Sequence, residues 1–175
     1  MVARLTAQKR VHLAIDAVAR LISSGLPLRL TIVGDGPERA SLEQQVSEAG
    51  IRSAVSFAGA VAVAEIPGYL ARADVMIFPA RGEGFGLAAA EALMAGVPVV
   101  ACVDGAGVLE VVPESGAGRI ALPEPGAIGD AVSSILKDPG ACQAARKAGE
   151  SWRLRLAPDQ VATICHGWYR EALSA

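Results

Sequence analysis

Two apolar runs set the tightest limit on how this chain folds. Val-Met-Ile-Phe-Pro at 75–79 and Val-Pro-Val-Val-Ala-Cys at 97–102 contain no charged or amide side chain. A strand with one wet face alternates apolar with polar residues, whereas a strand buried on both faces reads as a continuous apolar run. Between the two lies a helical stretch from about Gly86 to Ala95, and the same alternation extends along the chain. A short strand at Val2–Leu5 leads into a helical stretch, Lys9–Ser24, with Leu13, Ala14, Ala17, Val18 and Leu21 at helical spacing; Gly25 and Pro27 end it. LRLTIV (28–33) stops at a Gly-rich turn, helical Arg39–Ala49 follows, then AVSFAG (54–59) and a short helix near Ile66–Arg72. Beyond Cys102 come a short helix around Leu109–Val112, the strand RIAL (119–122) and three more helical pieces. Strands alternating with helices predict βαβ units, hence an α/β fold with about six parallel strands and helices on both faces.

The length of 175 residues suits one domain over 1–175, and neither a repeat nor a dividing linker is visible. Hydrophobic residues make up 52% and charged residues 19%, which is apolar for a free-standing domain. Part of that bias is alanine, and part is expected to be surface that faces another domain. A net charge of −2 without a basic cluster argues against nucleic acid as a partner. Cys102, Cys142 and Cys165 are odd in number and lack CxxC spacing, so neither a disulfide framework nor a zinc site is expected. No secretory leader and no bilayer-length apolar run is recognised, and the expected location is cytoplasmic. His12 and His166 stand apart from other chemistry-bearing residues and read as structural or surface groups.

In open α/β sheets ligands bind beyond the carboxyl ends of the strands. Here those ends carry Arg4 and Lys9, then Gly34-Asp35-Gly36-Pro37, Gly59, the stretch Arg81–Gly86, and Gly105 with Gly107. Two glutamates stand out. Glu83 sits in the Gly-rich stretch where strand becomes helix, and Glu91 is the one charge between Phe85 and Val103. A spacing of eight is weak by itself in a chain with eleven glutamates. Its position says more. The first amides of the helix form an anion site, and Glu91 lies about five residues in, roughly 7 Å along the axis. A diphosphate at the helix start would leave its ribose within reach of Glu91, whose carboxylate accepts from both hydroxyls of a diol. The other reading is a solvated or ion-paired carboxylate. Arg4 and Lys9 read either as a cation pair for a diphosphate or as two exposed charges at a helix start. Gly34-Asp35-Gly36-Pro37 is a good turn but not GxGxxG, and no DxD suggests a bound metal.

These residues fall into a recognisable order: V-A-R-L-x-x-x-K at 2–9, V-G-D-G-P at 33–37, F-x-G at 57–59, P-A-R-G-E-G-F-G-L-x-x-x-E-A-L-x-A-G-x-P-V-V-A at 79–101, and G-x-x-E-V-V closing at Val112. Throughout its length the chain resembles the C-terminal, nucleotide-sugar-binding domain of a family 4 retaining glycosyltransferase of GT-B fold. The resemblance implies a Rossmann-like domain and hexose transfer from a nucleotide-diphospho-sugar, with no metal or other cofactor. It implies that Arg4 and Lys9 hold the diphosphate, that Glu83 is the acidic member of the catalytic site, and that Glu91 binds the ribose. Gly84, Phe85, Gly86 and Leu87 would contact the sugar and phosphate, and backbone near Val61 would hold the base.

The sequence departs from that family at Ala3 and Arg10, where glycine is usual, and Arg10 reads as an added cation or a surface residue. A GT-B enzyme also has an N-terminal acceptor domain, and none is recognised here. The expectation is therefore a donor-binding half, inactive alone, with an apolar stripe at Val161, Ile164, Cys165 and Trp168, and Tyr169 and Leu173 nearby, within the C-terminal helix at 158–175. That stripe would pack on its own domain, dock on an acceptor domain, or drive self-association. Peripheral membrane association belongs to a full-length enzyme. The competing readings are a non-catalytic nucleotide-sugar-binding module and a GT-B-like epimerase-type domain.

Overall fold

The computed structural model describes residues 1–112 and 117–173, and all side chains among them except those of 164, 167–169 and 171–173. Eight α-helices and five strands alternate among the described residues: α1 (Val11–Ser23), β1 (Leu30–Val33), α2 (Arg39–Glu48), β2 (Val55–Gly59), α3 (Ile66–Leu70), β3 (Met76–Phe78), α4 (Leu87–Met94), β4 (Val99–Cys102), α5 (Val108–Val111), β5 (Gly118–Ala121), α6 (Pro125–Leu136), α7 (Ala141–Arg155) and α8 (Pro158–Leu173). All strand pairs are parallel. β1 pairs with β2 in one sheet, and β3-β4-β5 form another with Met76 opposite Val99 and Val99 opposite Gly118.

The apolar runs behave as two-sided strands. Ile77, Val100 and Cys102 point into a core built with α1, α2 and α6. Their neighbours Met76, Phe78, Val99 and Ala101 point the other way, into a core built with α4, α5 and α7. Each fully buried Val, Leu or Ile stabilises the fold by about 1.5–3 kcal/mol. Leu93 of α4 is fully buried, so truncating it to Ala removes about 2–5 kcal/mol. α1 buries Val11, Ala14, Ile15, Ala17 and Val18 along one stripe. It closes as a Schellman turn: the Leu26 N–H donates to the Leu21 carbonyl at 3.1 Å, and the Gly25 N–H to the Ile22 carbonyl at 2.9 Å.

The first expected strand is the main difference from the sequence reading. Val2 makes only an isolated bridge to Val33. The Ala3 N–H donates to the Val33 carbonyl at 3.0 Å and the Leu5 N–H to the Asp35 carbonyl at 3.0 Å, so the segment bonds along the edge of β1. It makes no ladder to β3. Met1, Val2, Thr31, Val33, Met76 and Ile77 instead border a cavity of about 770 Å³ between the two sheets. Among the described residues five strands therefore stand where about six were expected.

In α8, Val161 is exposed and Cys165 half-buried. The Ile164, Trp168, Tyr169 and Leu173 side chains lie outside the described residues. No helix among the described residues is long and apolar enough to cross a membrane.

Candidate functional site

The carboxyl ends of the strands open onto a cleft of about 660 Å³. Arg4, Lys9, Val61 beyond the end of β2, Glu83, and Leu87 and Ala88 at the start of α4 all line it. Of the residues expected from sequence, Arg4, Lys9, Val61, Glu83 and Leu87 thus line one space. Gly84, Phe85, Gly86 and Glu91 do not line it.

Glu83 is carried by a loop that backbone bonds hold from both sides. The Arg81 N–H donates to the Gln8 carbonyl at 2.9 Å, the Gly82 N–H to the Asp104 carbonyl at 2.9 Å, and the Glu83 N–H to the Gly105 carbonyl at 3.0 Å. The Gly107 N–H returns a bond to the Glu83 carbonyl at 2.9 Å. Gly107 is required there by close approach, because a Cβ would stand 2.0 Å from the Gly84 carbonyl oxygen. Gly86 is required twice over. Its φ of 87° is left-handed, and a Cβ would come within 2.8 Å of Val108 Cγ2. That turn aims the start of α4 at the cleft. The first amides of a helix have no partner within it, and those of Leu87 and Ala88 find no backbone acceptor among the described residues. They stand at the positive end of the helix dipole, a geometry that suits an anion.

The Lys9 Nζ donates to Glu83 Oε2, and both side chains are about four-fifths buried, with 18% and 20% exposure. The Lys9 ammonium also lies 5.6 Å from the centre of the Phe78 ring. The Arg4 side chain is exposed and makes no hydrogen bond or ion pair among the described residues. A paired and an unpaired cation therefore face the same space as the α4 amides.

Glu91 stands one helical turn beyond Leu87 on the same face of α4. It is half-buried, its carboxylate has no hydrogen-bond partner among the described residues, and burial pushes its carboxyl above the usual carboxylate range. Phe85 faces away from the cleft and meets Trp152 of α7 edge to face, ring centres 5.5 Å apart and planes at 83°. The Trp152 Nε1–H donates to the Val111 carbonyl at 3.1 Å. Phe85 thus pins the loop to the core. The Val61 backbone makes no hydrogen bond among the described residues, which leaves it open to an incoming edge.

Sequence reasoning missed Gln8, Asp104 and Trp152, and took Arg10 as an added cation or a surface residue. Arg10 instead ion-pairs with Asp104 at 2.6 Å. The only signal for it was the replacement of an expected glycine. Among the described residues no three His, Cys, Asp or Glu side chains assemble as a metal-holding group.

The sequence pattern of the glycosyl transferases group 1 family matches residues 1–152. A 2-deoxystreptamine glucosyltransferase of Streptomyces kanamyceticus is 34% identical over 152 residues, covering 86% of this chain and 39% of that protein. A GDP-mannose-dependent alpha-(1-6)-phosphatidylinositol dimannoside mannosyltransferase of Mycobacterium tuberculosis is 36% identical over 166 residues, covering 92% of this chain and 42% of that protein. The crystal structure of Anabaena Alr3699/HepE in complex with UDP superposes with a TM-score of 0.82 at 26% identity, over 99% of this chain and 48% of that one. The chain therefore spans less than half the length of these relatives. With the family pattern running through the cleft-forming segments and most of the sequence, the chain belongs to the glycosyl transferases group 1 family.

Proposed function

We infer that this chain is the donor-binding half of a retaining glycosyltransferase, which takes a hexose from a nucleotide-diphospho-sugar to an acceptor held by another domain. The observation that carries the reading is the convergence of Arg4, Lys9, Glu83 and the free amides of α4 on one cleft. A diphosphate needs fixed positive charge on more than one side, and its departure from the sugar is eased by donors already in place. Arg4 and Lys9 supply the cations, and the Leu87 and Ala88 amides supply the dipole. Glu83 stands by the donor sugar as the acidic group, and Glu91 takes the ribose hydroxyls, with Gly84 to Leu87 along the phosphate and sugar. The open backbone at Val61 holds the base. Similarity to a glucosyltransferase, a mannosyltransferase and a UDP-bound protein supports a nucleotide-sugar as ligand.

Orientation of donor against acceptor supplies much of the barrier reduction in such a transfer. The donor half alone therefore binds and does not transfer. In this reading α8 and its exposed Val161 belong to the contact with the acceptor side or with a second copy.

Thermal shift with UDP, GDP, ADP, dTDP and their glucose and mannose conjugates tests the reading, on the wild type and on Glu91→Ala. A ligand at ten times its Kd stabilises by about 1.4 kcal/mol, or roughly 3–6 °C for a domain of this size. A shift with one base that Glu91→Ala abolishes supports the reading and names the base. No shift with any of them at millimolar concentration overturns it, as does robust sugar transfer by the chain alone.

A further inference from the structure

Three segments far apart in sequence meet beside the cleft, two of them lining it through Gln8, Lys9 and Glu83, and one ion pair closes the ring among them. The turn Ala7–Lys9 touches the loop carrying Glu83 twice, through the Arg81 N–H to the Gln8 carbonyl at 2.9 Å and through Gln8 Nε2 to the Gly82 carbonyl at 3.2 Å. That loop touches the one after β4 through the Gly82 and Glu83 amides, which donate to the Asp104 and Gly105 carbonyls. The remaining side of the ring is made by side chains. Arg10 Nη2 donates to Asp104 Oδ1 at 2.6 Å across 94 residues of sequence. Arg10 holds φ 47° and ψ 44°, a left-handed backbone that a non-glycine residue keeps only when its surroundings hold it there. Its Nε is buried with no acceptor. Among the described residues the guanidinium is anchored by Asp104 alone, and it does not line the cleft.

We propose that Arg10 and Asp104 are positioning residues for the donor: their ion pair locks the turn that carries Lys9 to the loop that carries Glu83, and so sets the charge spacing that a diphosphate meets. The proposal rests on the donor reading above. Lys9 is the residue before Arg10, and Glu83 follows the Gly82 that bonds to Asp104, so a slip at the pair reaches both charges directly.

Arg10→Gly and Asp104→Asn test it. Glycine suits the left-handed backbone, so Arg10→Gly removes the strut without adding strain. Titration with UDP, GDP, ADP and dTDP is expected to give about fivefold weaker binding of the preferred nucleotide in each variant, with the double variant no weaker than either single one. Amide hydrogen exchange at Arg81 and Glu83 should speed up about tenfold while Val100 in β4 is unchanged. A merely structural pair would lower the melting temperature and leave affinity and local exchange as they were, and that result overturns the proposal. So does tighter binding by Asp104→Asn, which would make Arg10 a direct phosphate ligand released from its partner. A wild type that binds no nucleotide diphosphate overturns the donor reading, and the exchange rates still decide whether the pair holds the two segments together.

Discussion

Lys9 and Glu83, 74 residues apart in sequence, meet as an ion pair on the wall of the cleft. In the donor reading these groups have different jobs, one toward phosphate and one toward sugar, so the pair and the ligand compete for Lys9. Glu83→Gln should then bind a nucleoside diphosphate without its sugar several-fold more tightly, because Lys9 no longer has an anionic partner. Lys9→Ala should bind it tenfold or more weakly, about 1.4 kcal/mol or above. Breaking the pair from either side also costs about 1–2 kcal/mol of stability, less than for a wholly buried pair because each side chain keeps some water. Calorimetric titration checks the opposite signs. Weaker binding by Glu83→Gln would mean that the pair itself is the binding element.

Glu91 gives a prediction with a pH sign. Its folded carboxyl titrates above the unfolded one because burial disfavours the charge. Between those two values the folded state holds the extra proton, so stability falls as pH rises through that window and the deficit persists at neutral pH. Glu91→Gln should therefore melt higher than wild type at pH 7–8 and match it more closely at pH 4. The same variant should lose tenfold or more in nucleotide affinity, since a charged acceptor to the ribose is worth about 1.5–3 kcal/mol. The wild type should discriminate against the 2′-deoxy nucleotide and Glu91→Gln should not. A variant that is more stable and binds worse has lost a functional group rather than a structural one.

The strands and α4 were legible because burial on two faces leaves a run such as Val75 to Pro79 without charge, and because the Glu83 to Glu91 segment joins a Gly-rich turn to an Ala- and Leu-rich helical stretch. Lys9 and Arg4 were legible only through the order of motifs, since two cations at a helix start have many ordinary causes. The bracing of the Glu83 loop was not legible. It runs through carbonyls and amides at Gln8, Asp104 and Gly105, and a backbone bond leaves no mark on residue type. Arg10 pointed the wrong way, because its residue type advertises charge while its conformation is the one glycine usually supplies. The segment at Val2–Leu5 has strand composition, yet strand assignment depends on partners, and it bonds only along the β1 edge.

Trp152 should act on the cleft from a distance. It packs against Phe85 and donates to the Val111 carbonyl, so it ties the Glu83 loop and α5 to α7. Trp152→Ala should cost about 2–4 kcal/mol, at the lower side of aromatic truncations because the ring is half-buried. Trp152→Phe keeps most of the ring contact and leaves Val111 without its donor, for about 1 kcal/mol. Urea unfolding measures both. Nucleotide affinity should fall in the Ala variant more than in the Phe variant, in step with the loss of the Phe85 contact.

Two glycines in the Glu83 region make a matched pair for separating shape from flexibility. At Gly107 a methyl group would lie 2.0 Å from the Gly84 carbonyl oxygen, and at Gly84 it would meet nothing within 4 Å. Gly107→Ala must push the two loops apart or break the Gly107 N–H to Glu83 carbonyl bond, for about 1–3 kcal/mol. The displaced atoms belong to the backbone that aims Glu83, so donor affinity should fall with stability. Gly84→Ala should keep its stability or gain slightly, because alanine restricts the unfolded chain and its methyl meets nothing in the folded one. Melting temperature and nucleotide titration on the two variants check the contrast. If Gly107→Ala melts with the wild type, the two loops are not in the contact that holds Glu83 in place.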